Sequence, residues 1–386
     1  MVRIIEVKLT LKSPAILAER RSASGFLGAL NYIPAPTLRG AVLTSLYVRG
    51  EVDEKRLEEE DLKPRLIASP AYPLSSQWKS RPASPFIWKC KICEVKLTRN
   101  NKKNEECEIE NTNEDNTDKE EKENAYLLNK EEEFVKRIYE NAPLKIPSEC
   151  KEGHRALQPL HPKLIWDERR IVSRQISVGI DKSRAAAVKG MLYSYDVIFP
   201  PQTYWATLLL PDEYKLSNRF ELKIGRGLSR GFGVAEMEIQ REISLEEKAE
   251  EYSSYMKGNI VVMIAMSPTL DGGFDPQLYP REVELSKIAE HFSLTVGGTL
   301  YIDRVYGKTI KVSGGWNLLR DTNRPDYYAK AQGSIVVVKV DAKSQKDASK
   351  GLAVLAYHGT IEELNGFTIT GVNMLKPALE VIKYAS

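Results

Sequence analysis

Residues 225–233 read Gly-Arg-Gly-Leu-Ser-Arg-Gly-Phe-Gly, and this segment restricts the chain more than any other. Four glycines in nine positions exclude a helix interior and a clean strand, because glycine loses the most backbone freedom on ordering. The segment is a turn, and the strand-like run VAEMEIQ follows it. Glycines let a polymer backbone come close to the main chain, where amide N–H groups and the side chains of Arg226 and Arg230 would face phosphates. Phe232 either anchors the loop in the core or stacks on a base. A Walker loop is excluded, since no Lys-Ser or Lys-Thr follows and the next element is a strand. A dinucleotide-binding loop fails for the same reason. The alternative is a glycine-rich β-turn without a ligand.

The remainder of the chain supplies elements of both kinds. Residues 2–11 alternate with period two and predict a strand. A polar, small-residue stretch from Ser13 to Asn31 reads as a loop. The prolines and Thr37 of IPAPTLRGAVLTSLYVRG start a helix from about Leu38 to Val48, with Leu38, Ala41, Val42 and Leu46 at helical spacing. Residues 165–180, 191–199 and YWATLLL read as strands. The charged segment SLEEKAEEYSSYMKG is a linker or short connecting helix. At Asn259 the pattern restarts: NIVVMIAMSP and GSIVVVKV are strands, SQKDASKGLAVLAYHG is helical, and LNGFTITGVNML is a glycine-punctuated turn into a last strand. A chain of 386 residues is long for a single core. The repeated order predicts two α+β domains, roughly 1–245 and 256–386.

Residues 85–155 read as an insertion in the first domain. All four cysteines lie there: Cys90, Cys93, Cys107 and Cys150. Clustering in a chain expected to be cytoplasmic favours metal over a disulfide framework. Cys90-x2-Cys93 presents two thiolates from one tight turn, and Cys150-x3-His154 completes a tetrahedral Zn²⁺ set. Cys107 and His161 remain alternatives to His154, and four reduced, unliganded thiols are the plain alternative. The long gap between the pairs costs little, because loop-closure entropy grows slowly with length. An Asn/Glu/Lys tract too polar to fold alone fills it, and a short amphipathic helix near Glu131–Glu140 returns the chain. Residues 100–133 hold 13 acidic residues and 5 lysines, a local charge of −8 that leaves +11 for the rest of a chain whose net charge is +3. Such a body suits a polyanionic partner or is ordinary solubilising charge.

A first strand, then IPAPTLRGAVLTSL, then SRQISVGIDKSRAAAVKGMLYSYDVI, then LKIGRGLSRGFGVAEMEI is the running order of the RAMP superfamily of CRISPR-associated proteins. The chain resembles that superfamily well over residues 1–240. The match is looser over 258–386, through GGWNLLRDTNRPDYYAKAQGSIVVVKV. The resemblance implies two ferredoxin-like, RNA-recognition-like domains with a zinc-binding insertion. It also implies guide-RNA binding inside a type III effector complex, alongside a large polymerase-like subunit and backbone RAMP subunits. KGMLYSYDVI with the downstream GGWN is most similar to the subunit of type III-D complexes that caps the 5′ handle of the guide; a backbone subunit is the other member considered. The implied RNA-binding residues are Gly225, Arg226, Gly227, Ser229, Arg230 and Gly231. With them stand Arg20 and Arg21 in the loop after the first strand, Arg39, and Lys182 and Arg184 flanking a small-residue run. Trp316 with Arg320 and Arg324 forms a stacking and phosphate platform, or Trp316 is buried.

Backbone subunits that cut RNA resemble one another in carrying an acidic residue after the first strand. Here SPAILAERRSASGFLGALN has Glu19 and no aspartate. His154, His161, His291 and His358 are the only histidines, and none adjoins the Gly225 segment in sequence, so no acid–base pair assembles. The expectation is a non-catalytic, cytoplasmic RNA-binding protein. The alternatives are a RAMP endoribonuclease and a zinc-dependent protein-interaction subunit. No apolar run of membrane-spanning length exists.

Overall fold

The computed structural model describes the chain except residues 1, 23–24, 76–77, 96–125, 166–170, 182, 274, 318 and 384–386, together with the side chains of 19–27 and 189–190. The central strand of the first half is β1 (Val2–Leu11). Its alternation turns Ile5, Val7, Leu9 and Leu11 onto one face, where α1 (Ala35–Val48) packs. Pro34 and Pro36 open α1 at positions that need no N–H donor. The helix therefore begins at Ala35 rather than Leu38, and Leu38, Val42 and Leu46 along one stripe are fully buried. A second helix, α2 (Glu54–Leu62), is capped by the side chain of Asp53, which accepts from Arg56 N at 2.8 Å.

The first sheet has the order β11 (Arg219–Lys223), β12 (Val234–Ile243), β1, β10 (Thr203–Pro211), β4 (Ile67–Ala68), and every neighbouring pair is antiparallel. Taken along the chain, β1, β4, β10 and β12 lie in the spatial order fourth, first, third, second. The hairpin strand β11 and the glycine segment replace a second crossover helix.

The second half repeats this order with both helices present. Its strands are β13 (Ile260–Ala265), β14 (Glu282–Glu284), β15 (Thr299–Tyr306), β16 (Ile335–Asp341) and β17 (Leu375–Pro377), in the antiparallel order β14-β15-β16-β13-β17. Helix α5 (Leu285–Glu290) lies in the chain between β13 and β15, and α6 (Gln345–His358) between β16 and β17. Ser344 caps α6, its hydroxyl accepting from Asp347 N at 3.1 Å. The charged segment between the halves contains α4 (Leu245–Ser253), and a short helix α7 (Ala378–Lys383) closes the chain. Both sheets stay separate.

The stretch from Ser13 to Asn31 is not a simple loop. It contains β2 (Ala18–Ser22) and β3 (Gly25–Ala29), which join the long hairpin β8 (Val172–Asp181) and β9 (Ala186–Ile198) in a sheet ordered β8-β9-β3-β2. The β9–β3 contact is parallel, pairing Tyr195 with Phe26.

Described residues of the 85–155 segment are built into the body rather than projecting from it. β5 (Ile87–Cys90), β6 (Leu127–Asn129) and β7 (Leu157–Pro159) form a small sheet, and α3 (Glu131–Tyr139) follows β6. Phe86, Trp88, Phe134, Val135 and Ile138 share a single core with Ile264, Val337 and Leu355 of the second half. Phe86 meets Phe134 edge-on at 4.9 Å. Arg81 closes the join from below, reaching Glu131 through two bonds of 3.1 and 2.6 Å with both side chains buried. The amphipathic stripe of α3 is the physical reason: its apolar face has to be covered.

Candidate nucleic-acid interface and metal centre

The glycine segment connects β11 to β12 as a short 3₁₀ turn, Leu228–Arg230, held between two left-handed glycines, Gly227 (φ +73°) and Gly231 (φ +86°). It lies on the residues that follow β1. Arg226 N–H donates to Ile16 O at 3.1 Å, and Gly233 N–H donates to Pro14 O at 2.7 Å. Two of the glycines admit the chain itself rather than a ligand: a Cβ on Gly233 (φ +76°) would overlap the Ile224 carbonyl, and one on Gly225 (φ +85°) would press on the Ile16 carbonyl. Gly231 faces open space. Ser229, Arg226 and Arg230 are exposed at the rim.

Arg230 is positioned by aromatic rings. Its Nη1 donates to the Tyr195 hydroxyl at 3.2 Å, and its guanidinium lies 5.2 Å from the Tyr195 ring centre and 5.7 Å from that of Phe232. Tyr195 and Phe232 meet edge-on at 6.0 Å over Ile16 and Val197. Phe232 is thus half-buried and closes the loop against β9. A guanidinium held this way keeps N–H donors turned to solvent while losing little side-chain freedom.

Beside this rim, the β8–β9 hairpin carries an apolar row. Ile176, Val178, Ile180 and Leu192 stand on one face of the pair and are largely exposed. Sequence reading recognised both strands but not this row, nor Tyr195. The alternation Ile176, Val178, Ile180 was the available signal; nothing local marked Tyr195. At the base of the hairpin Arg174 Nε donates to Asp196 Oδ1 at 2.8 Å, and Gly28 N–H donates to Oδ2 at 2.9 Å. Arg174 is the first cause holding the Asp196 carboxyl below its ordinary range.

The remaining RNA candidates separate. Arg20 and Arg21 lie on β2, so they share a sheet with the hairpin; their side chains lie outside the described residues. Lys182 also lies outside them. Arg184 is exposed near the hairpin tip, 3.8 Å from Asp181. Arg39 requires correction: it is 7% exposed, and its guanidinium donates to Leu66 O at 2.7 Å and to Glu60 Oε2 at 2.8 Å. It is a core ion pair, since helical spacing turns it inward with Leu38 and Val42. Arg320 and Arg324 are likewise turned to a carboxylate, Asp61. Trp316 is exposed, not buried.

The metal candidates converge. Cys90 ends β5, and residues 91–95 continue as a helical turn that brings Cys93 back. Cys150 and His154 flank a tight turn in which Gly153 (φ +74°) donates N–H to Cys150 O at 3.0 Å, and His154 N–H points at Cys150 Sγ at 3.4 Å. His154 Nδ1 lies 3.3 Å from Cys93 Sγ, 3.5 Å from Cys150 Sγ and 3.8 Å from Cys90 Sγ; Cys93 Sγ and Cys150 Sγ are 3.9 Å apart. Tetrahedral Zn²⁺ with bonds of about 2.3 Å to sulfur and about 2.05 Å to nitrogen requires edges of roughly 3.5–3.8 Å. The four donor atoms all lie within 4.8 Å of one another, and the four distances are close to that requirement, so the chemistry of the set suits a metal ion of that kind. Burial, then the neighbouring Cys90 and Cys150, pushes the Cys93 thiol up to about 12, which is the condition a cation relieves. Cys107 lies outside the described residues. His161 does not reach the cluster: its Nδ1–H donates to Ala83 O at 2.9 Å, and its Nε2 accepts from Lys308 N at 3.0 Å.

No protein-family model and no curated protein matches the chain. Solved structures do. A chain of the type III-B Cmr-β complex bound to cognate target RNA and AMPPnP is 13% identical, with a TM-score of 0.43 and 86% of each chain covered. Oligomeric Cmr4 from Pyrococcus furiosus is 12% identical, with a TM-score of 0.25, 63% of this chain and 99% of that one. A chain of the Csm1–Csm4 cassette in complex with cA4 is 15% identical, with a TM-score of 0.26 and 87% of each chain covered.

Proposed function

We propose that this protein is a non-catalytic guide-RNA-binding subunit of a type III CRISPR effector complex, capping the 5′ handle of the guide. The observation that carries the reading is the join between the glycine segment and the residues after β1, with Arg230 held on Tyr195 at its rim. It carries two exposed arginines beside the open Gly231, with Arg230 backed by the buried Tyr195, a combination that grips phosphates. Both antiparallel sheets, in the order fourth-first-third-second, are ferredoxin-like units, the fold that the resemblance to RAMP proteins implies. The Cys90, Cys93, Cys150 and His154 group takes one structural Zn²⁺, which ties β5 to the turn before β7.

The test is what co-purifies with the chain expressed beside its genomic neighbours. A discrete small RNA and several protein partners are expected, and a ribonuclease assay on the purified chain should show no cleavage. Recovery of the chain alone, with filter binding to RNA no steeper in salt than for an unrelated protein, would overturn the reading.

A further inference from the structure

The second half contains an open cleft of about 820 Å³ whose wall includes His291, His358, Asp271 and Glu362, with Glu282 and Glu284 from β14 beside them. Its chemistry is the reverse of the basic body. Of the two basic groups there, Lys287 is held by Glu284 at 3.0 Å, leaving Arg281. Glu362 already accepts from Thr360 Oγ1 at 2.6 Å and from Gly272 N at 3.0 Å, so the acceptors still lacking a donor among the described residues are His358 Nε2 and the Asp271 carboxylate. His291 Nε2 lies 2.8 Å from the Pro64 carbonyl, and His358 Nδ1 lies 3.0 Å from the Gly359 carbonyl. Carbonyls only accept, so each ring nitrogen there carries a proton, and in the neutral ring the other presents a lone pair. His358 is 2% exposed and its Nε2 has no partner. An orphaned buried acceptor in a native structure calls for an explanation. Asp271 has no hydrogen bond or ion pair from its carboxylate among the described residues, and burial raises its carboxyl; burial, with Asp271 adjacent, raises that of Glu362. The C-terminus of α6 adds its partial negative charge to the same wall.

We propose that this cleft receives a guanidinium group, an arginine side chain presented by a protein partner. Two other occupants fit less well. Phosphates are repelled by the carboxylates. A single metal ion lacks its ligand set, because among the described residues the cysteine–histidine group alone brings three such donors within 4.8 Å. A planar guanidinium spreads five N–H donors over a wider arc and suits acceptors that are spaced apart. The amide-binding arm of the test is independent of the proposed function; the cross-linking arm rests on it.

The test uses the full chain with ¹³C-labelled histidine, titrated with N-acetyl-arginine amide and, separately, N-acetyl-lysine amide. The arginine amide should shift the His291 and His358 signals saturably and bind about tenfold more tightly than the lysine amide. Glu282→Gln, on a strand edge where folding is not at stake, should weaken it. A benzophenone side chain at Lys287 in the purified complex then separates a protein source from a free guanidino compound: a cross-link to an arginine-bearing peptide, competed by the arginine amide, assigns the protein. No saturable shift, equal binding of both amides, or displacement by Mn²⁺ or an RNA oligonucleotide would overturn the site. Amide binding without a competed cross-link would overturn the protein source.

Discussion

Asp61 on α2 accepts from Arg320 Nε at 2.8 Å, so a carboxylate of the first half holds a guanidinium of the second. The same carboxylate accepts from Asn317 Nδ2 at 3.0 Å and from Arg324 Nη2 at 3.4 Å. Burial pulls the Arg324 guanidinium down, and Asp61 is the main group opposing that. Removing Asp61 leaves a half-buried arginine without its counter-charge. Asp61→Ala is expected to cost about 2 kcal/mol in urea unfolding. In a double-mutant cycle with Arg320→Ala, the two losses should be less than additive; full additivity would mean that the pair is uncoupled.

Metal analysis of protein purified without chelator should give about one zinc per chain. Cys90→Ser and Cys93→Ser should each abolish stoichiometric zinc and lower the unfolding temperature, whereas Cys107→Ser should do neither. His161→Gln should retain the metal, since that ring is spent on Ala83 and Lys308. Zinc retained by the Cys90 variant would mean another ligand set.

RNA binding should respond to Arg226→Ala and Arg230→Ala alike: weaker affinity across sequences, and a log–log salt slope flatter by about one unit for each arginine–phosphate pair removed. Tyr195→Phe removes only the hydroxyl that receives Arg230. It should weaken binding less than Arg230→Ala. Unchanged affinity and slope in both arginine variants would make the segment a structural turn.

The glycines should rank by what surrounds them. Gly233→Ala forces a side chain into the Ile224 carbonyl at φ +76° and should prevent normal folding of the β11–β12 connection. Gly231→Ala meets nothing within 4 Å, so its cost is limited to the left-handed backbone, about 1–2 kcal/mol. Gly227→Val should fall between them in stability and lose RNA binding. Circular dichroism melts of the three variants check the order.

Acid should unfold the chain earlier than its carboxylates alone require. Burial pushes His161 and His358 down to about 4, below the ordinary value of about 6.5. The unfolded chain therefore takes up protons that the folded chain refuses. That contribution is fully present above about pH 6.5 and is lost as pH falls toward 4, at up to about 1.4 kcal/mol per pH unit for each ring. Urea midpoints across that window should fall steeply, and His161→Gln should show a shallower fall from a lower starting stability.

Some elements were legible because their cause is local. The alternation of Val2–Leu11, the prolines before α1 and the CxxC spacing each act over a few residues, so strand, helix and paired thiolates were recognisable. Arg39 was misread for the opposite reason. Its partner Glu60 lies on another helix, and no local pattern distinguishes an inward arginine from an outward one. Residues 85–155 read as an insertion because the polar tract dominates their composition, while burial is decided by the few apolar residues of α3 and β5.

The amino-acid sequence alone determined the alternation of strands and helices, the close pairing of Cys90 with Cys93 and the tight glycine turn, since these follow from backbone sterics, hydrophobic period and short sequence spacing. The tertiary structure decided which surfaces meet. It placed Arg230 on Tyr195, turned Arg320 to Asp61, and gathered His291, His358 and Glu362 around one acidic cleft. Those contacts join residues far apart along the chain, and their geometry exists only once both sheets have packed on a common core.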